Sequence, residues 1–112
     1  GNHPLAMTVG AVDMHGTPER SDDTVAPYSA KGPTRFDRVI KPDLVAPGHR
    51  LPSAEAAGSF FAASFTDRHV AGSGPHAYIA LSGTSMAAGV ASGVAALVFD
   101  ARPSLAPTQV KA

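Results

Sequence analysis

The sequence predicts an α/β fold in which short buried strands support one interior helix. Two observations carry this. Met86 to Phe99 is small or apolar on every side, the pattern of a helix enclosed on all faces. Leu5 to Asp13 and Asp43 to Gly48 are short apolar runs with β-branched residues, the pattern of buried strands. The 11 glycines and 10 prolines are scattered, so they mark many turns and not a collagen-like or low-complexity chain.

The 112 residues suffice for one small domain, with no internal repeat. Nine basic residues balance nine acidic ones. Zero net charge provides no attraction for nucleic acid or an anionic membrane. The lack of cysteine excludes disulfides and thiolate metal sites. There is no initiator methionine or signal peptide at Gly1, and Lys111-Ala112 stops inside an apparent helix. A fragment is expected to look like this.

In chain order, Leu5 to Asp13 is the first strand, and Gly10 within it marks a close backbone approach. His15 to Asp23 is a polar surface loop. Val25 to Thr34 is an irregular segment with a Gly32-Pro33 turn, and the charged Arg35 to Arg38 is exposed. The second strand, Asp43 to Gly48, ends abruptly at Pro47-Gly48. His49 to Gly74 reads as a variable insertion, in which Ala54 to Phe65 is a short helix or a covering loop. His76 to Ser82 is one arm of a β-hairpin. Pro103 stops the central helix. Pro107 suits the first position of the next helix, for which Ala106 is a poor cap.

Ser82-Gly83-Thr84 is a turn that delivers Ser85 onto the first turn of the central helix. On local chemistry alone Ser85 reads as a helix cap, because serine and threonine are favoured there. The same position also suits a nucleophile. Free N–H groups and the macrodipole at a helix start stabilise developing negative charge. A serine hydroxyl still needs a base to become reactive, and spacing alone identifies none here.

Four ordered segments resemble the subtilisin-like serine proteases. Gly83-Thr84-Ser85-Met86-Ala87 is similar to their nucleophile signature. Thr8-Val9-Gly10-Ala11-Val12-Asp13 resembles a core strand upstream of it, and Lys41 to Gly48 resembles the KPDLVAPG segment between them. Gln109-Val110-Lys111, after Pro103 and Pro107, resembles the start of the following helix. The likeness spans nearly the whole chain. One position departs: Gly89 stands where the family usually has proline. Glycine loosens a helix by roughly 1 kcal/mol relative to alanine.

Other local patterns do not fit their contexts. His69-Val70-Ala71-Gly72 matches the tail of the family's catalytic-histidine motif, but Asp67-Arg68 precede it and it lies too close to the serine turn. Asp13 ends a strand without the D-x-G of a catalytic aspartate and reads as a turn residue. Gly1-Asn2 lies too close to the first strand to be the family's oxyanion asparagine. Gly72 to Ala77 fits G-x-G-x-x-A, yet Pro75 and the strand-like residues after it exclude a dinucleotide fingerprint. Gly89 and Gly93 form a literal G-x-x-x-G, the basis of a rival reading as a membrane segment, but the run is diluted by glycine, serine and threonine. His3, His15, His49 and His76 lack metal-ligand spacing.

The resemblance implies the C-terminal part of a subtilisin-like α/β domain, Gly1 to Ala112, with a mainly parallel sheet and a buried central helix carrying the serine. It implies peptide-bond hydrolysis through an acyl-enzyme on Ser85, with the Ser85 N–H holding the oxyanion and Gly83 and Thr84 shaping the backbone beside the reacting carbonyl. The triad histidine and aspartate would precede Gly1, so the chain alone is expected to be inactive. The alternative is a catalytically inactive homologue serving as a structural or peptide-binding module. Expected partners are a protein or peptide substrate and the remainder of the domain, with no nucleic acid and no membrane. The expected location is extracellular or in the cell envelope. No cofactor or metal is expected in these residues. The family often carries structural calcium, but no acidic cluster here suits it.

Overall fold

The computed structural model describes residues 1–112. The elements in order are β1 (Val9–Asp13), β2 (Thr24–Val25), β3 (Leu44–Pro47), β4 (Leu51–Ala54), α1 (Phe60–Ser64), β5 (His69–Ala71), β6 (Tyr78–Leu81), α2 (Thr84–Ala101) and α3 (Pro107–Lys111). Two three-stranded sheets form, in the orders β2-β1-β3 and β4-β6-β5. β1 and β3 run parallel, with Val9 opposite Leu44 and Ala11 opposite Ala46. The pairings β1–β2, β4–β6 and β5–β6 are antiparallel. The architecture is therefore mixed α/β, and its parallel character is confined to one pair of strands.

The helix and the first sheet meet through alanine. Ala11, Ala26, Ala46, Ala87 and Ala91 form one buried cluster, with Val9 and Val90 packed against it. Ala87 and Ala91 are four apart and so share a helix face. Their small side chains let α2 lie close on β1 and β3. Gly10 marks a close approach, as its place in the strand suggests. A Cβ there would stand 2.8 Å from Ser29 Oγ and 3.0 Å from Pro42 Cγ.

Two expectations are corrected. The central helix is not enclosed on all sides, since only Ala87 and Ala91 of α2 are buried while Val94 is 55% and Leu97 69% exposed. One three-stranded sheet covers a single stripe of a helix, and no element of this chain lies across the opposite face. Nor is β3 wholly buried, because Leu44 and Val45 are both exposed and Ala46 alone is enclosed. The Cα radius of gyration is 16.2 Å, against about 13 Å for a compact chain of this size. By length and composition α2 could also cross a membrane, but its packing on β1 and β3 is that of a helix lying on a sheet.

The boundaries follow local chemistry. The first strand starts at Val9, because Pro4 and a turn closed by Ala6 N–H to His3 C=O occupy the residues before it. Ser59 caps α1 by accepting from the Ala62 N–H at 3.2 Å. β6 pairs on both edges, so the expected hairpin arm is the centre of a three-stranded sheet. α2 ends at Ala101, two residues before Pro103. Pro107 opens α3, where the Gln109 side chain accepts from the Ala106 N–H at 2.8 Å in place of a side-chain cap.

Candidate active site

β6 leads through Ser82 and Gly83 directly into α2. Gly83 is the N-cap, in extended backbone with no side-chain cap. Ser85 is thus the second helical residue and not the cap. The first intrahelical donors are Met86 N–H and Ala87 N–H, both to Gly83 C=O. The N–H of Ser85 precedes them and is one of the unpaired donors at a helix start. Ser85 is exposed. Ser82 Oγ accepts from Arg50 N–H and Ser92 Oγ donates to Ala88 C=O, whereas Ser85 Oγ bonds to no group of the chain. An exposed serine with both its hydroxyl and its N–H free is open to an electrophile and offers one donor to the resulting anion, but its hydroxyl needs a base to react.

The turn is held from behind by the end of β3. Gly83 N–H donates to Gly48 C=O at 2.8 Å. Tyr28 Oη donates to the same carbonyl at 2.9 Å. Gly48 has no spare volume, for a Cβ there would stand 2.8 Å from Ala11 Cβ, 2.9 Å from Gly83 O and 3.0 Å from Ala87 Cβ. Beside it, the ring of His49 stacks on Tyr28 with centroids 6.2 Å apart. His49 Nε2 lies 3.6 Å from Asp13 Oδ2. Sequence patterns singled out neither Tyr28 nor the meeting of Asp13 with His49.

No histidine bonds to Ser85. His3 Nδ1 accepts from Leu5 N–H. His15 contacts Thr24 Oγ1 at 3.0 Å and Asp13 at 3.9 Å. Both ring nitrogens of His49 face other partners, Asp13 and Tyr28. His69, half-exposed on β5, pairs with Glu55 at 3.1 Å. His76 lies in a single turn of 3₁₀ helix. Asp13 ends β1 and accepts from His15 N–H at 2.9 Å, the geometry of a turn residue. Asn2 donates to Asp37 at 2.8 Å. Asp13, His15 and His49 lie close together but do not converge in metal-binding geometry.

Thr84 touches a cleft of about 490 Å³, whose other walls include Gly10, Lys31, Gly32, Arg35 and Asp37. Hydrogen bonds from the Thr34 hydroxyl and then the Asn2 amide hold the Asp37 carboxyl below its usual range. Below the first sheet, Asp43 accepts from Lys41 Nζ at 2.7 Å and from Thr8 N–H at 2.7 Å. Lys111 Nζ stands 3.3 Å from its other oxygen. These partners, Lys41 first, hold the Asp43 carboxyl well below the carboxylate range. Asp43 in turn raises Lys41. The network joins β3, α3 and the chain before β1, and it is structural.

A helix lying on a parallel strand pair, with an exposed and unpaired serine in its first turn, places the chain among the α/β proteins. The family model described as the subtilase family, Peptidase_S8, matches residues 1–112. The chain belongs to the subtilase family. It is 38% identical over 105 residues to serine protease AprX of Bacillus subtilis, covering 94% of this chain and 23% of that protein. It is 37% identical over 114 residues to the uncharacterized protein aq_aa18 of Aquifex aeolicus, covering 99% of this chain and 49% of that one. It is 34% identical over 92 residues to subtilisin-like protease SBT2.4 of Arabidopsis thaliana, covering 77% of this chain and 10% of the relative. The chain thus spans at most about half the length of these relatives.

Proposed function

We propose that these residues are the C-terminal part of the catalytic domain of a serine endopeptidase. Ser85 attacks the scissile carbonyl and forms the acyl-enzyme. Its own N–H holds the oxyanion, and Gly83 and Thr84 shape the backbone beside the reacting carbonyl. The hydroxyl proton passes to a histidine oriented by an aspartate, both on segments outside Gly1 to Ala112. The observation that carries this reading is the exposed Ser85, whose hydroxyl and N–H are both unpaired at the start of α2. The bare face of α2 supports the rest, since a large exposed apolar patch is the mark of an interface. On this reading the remaining segments cover Val94 and Leu97 and complete a mainly parallel sheet. The chain alone is then not a competent protease. Its substrates are proteins or peptides, and its place is outside the cell or in the envelope.

A second reading, an inactive subtilase acting as a structural or peptide-binding module, is favoured by Gly89. Nothing lies within 4 Å of where its Cβ would be, so packing in this chain does not require glycine there. Labelling of the full-length protein with a fluorophosphonate decides between the two. The enzyme reading expects labelling that Ser85→Ala abolishes, whereas the module reading expects none. Serine-dependent casein hydrolysis by isolated Gly1–Ala112 would refute the division of the triad.

A further inference from the structure

We infer that Tyr28 is a positioning residue for Ser85, acting through the carbonyl of Gly48. The inference rests on the reading of Ser85 as nucleophile. A carbonyl oxygen has two lone pairs, and Gly48 uses them for two donors from different parts of the chain. Tyr28 Oη reaches it at 2.9 Å and Gly83 N–H at 2.8 Å.

The second of these bonds has unusual weight. Gly83 begins α2 with no side chain to cap it. Its direction of entry is set by the backbone bond to Gly48 together with the bond from Arg50 N–H to Ser82 Oγ just before it. Ser85 lies two residues further on, so a swing of the Gly48 peptide is carried into the orientation of the serine. Gly48 is closed in by Ala11, Ala87 and the Gly83 carbonyl in the direction a side chain would take, and its own N–H is tied to Val12 C=O at 3.1 Å. What remains free is rotation of its carbonyl, and the tyrosine hydroxyl opposes that.

Tyr28 is anchored in turn. Its ring stacks at 25° on His49, and His49 is drawn toward Asp13 on the end of β1. Yet Tyr28 is 44% exposed, so the ring is not filling a core. The polar end of the side chain is what the site uses. Small misplacements of a reacting group carry large kinetic penalties, so a residue without contact to substrate can still tune the rate.

The test uses the full-length protein and the rate of fluorophosphonate inactivation. Tyr28→Phe keeps the ring and removes the hydroxyl. The maximal inactivation rate is expected to fall roughly three- to tenfold, the scale of one neutral hydrogen bond. The half-saturating concentration is expected to stay unchanged and the thermal midpoint to fall by at most a few degrees, the scale of that one bond; a merely structural residue would lower the midpoint without lowering the maximal rate. Tyr28→Leu, which also removes the stack, is expected to lose at least as much. Wild-type inactivation by Tyr28→Phe, or a loss confined to Tyr28→Leu, would overturn the role of the hydroxyl while leaving the nucleophile reading intact. Labelling that survives Ser85→Ala, or is absent from the unsubstituted protein, overturns that reading and this inference with it.

Discussion

Gly48 and Ala87 meet with no room for another carbon between them: a Cβ on Gly48 would stand 3.0 Å from that of Ala87 and 2.8 Å from that of Ala11. This contact seats the serine helix on the sheet. Gly48→Ala is expected to destabilise the protein by about 1–3 kcal/mol, the usual cost of overpacking. Gly83→Ala is the control. Its Cβ would meet only Met86 Sδ, at 3.4 Å, and its backbone is extended. The urea midpoint should fall further for Gly48→Ala than for Gly83→Ala.

Ser29 makes a second buried tie. Its buried hydroxyl accepts from Ala11 N–H at 3.0 Å. Removing it strands a buried donor, which costs roughly 1–3 kcal/mol. Ser29→Ala should lower the unfolding midpoint accordingly.

The Lys41–Asp43 pair predicts a pH dependence with a definite sign. The folded carboxyl titrates below its ordinary 3.8, chiefly because of Lys41 and then Thr8 N–H. Its stabilisation is therefore full above that value and is lost as pH falls through the depressed folded pKa. Lys41 titrates above its ordinary 10.5, so its share is full below that value and fades as pH rises beyond it. In denaturation measured from neutral pH downward, the gap between wild type and Asp43→Asn should be constant to about pH 4 and close below it.

Glycine in α2 predicts stabilisation. Beyond its chain neighbours and the helix's own nearby backbone, neither Gly89 nor Gly93 has an atom within 4 Å of a would-be Cβ. Alanine at either site should add about 0.5–1 kcal/mol to the stability of the Gly1–Ala112 chain. Equilibrium urea unfolding with far-ultraviolet dichroism as the probe checks it.

Local patterns disclosed β1, β3 and β6, the stop at Pro103, the start at Pro107 and the position of Ser85 on the first turn of a helix, but not the strands β2, β4 and β5. Each is written over a few neighbouring residues, where turn chemistry and apolar runs act directly on the backbone. The motif around Ser85 likewise pointed to the family, because its residues are contiguous. Distant contacts were invisible in that local code. Tyr28 and Gly48 are 20 residues apart, and His49 meets Asp13 only because β1 and β3 run side by side. The all-apolar run of α2 gave no hint of which face this chain would cover. A one-dimensional pattern records what a residue is able to bury, whereas packing in three dimensions selects the neighbour that covers it. Here the β1–β3 pair reaches Ala87 and Ala91 and leaves Val94 and Leu97 bare.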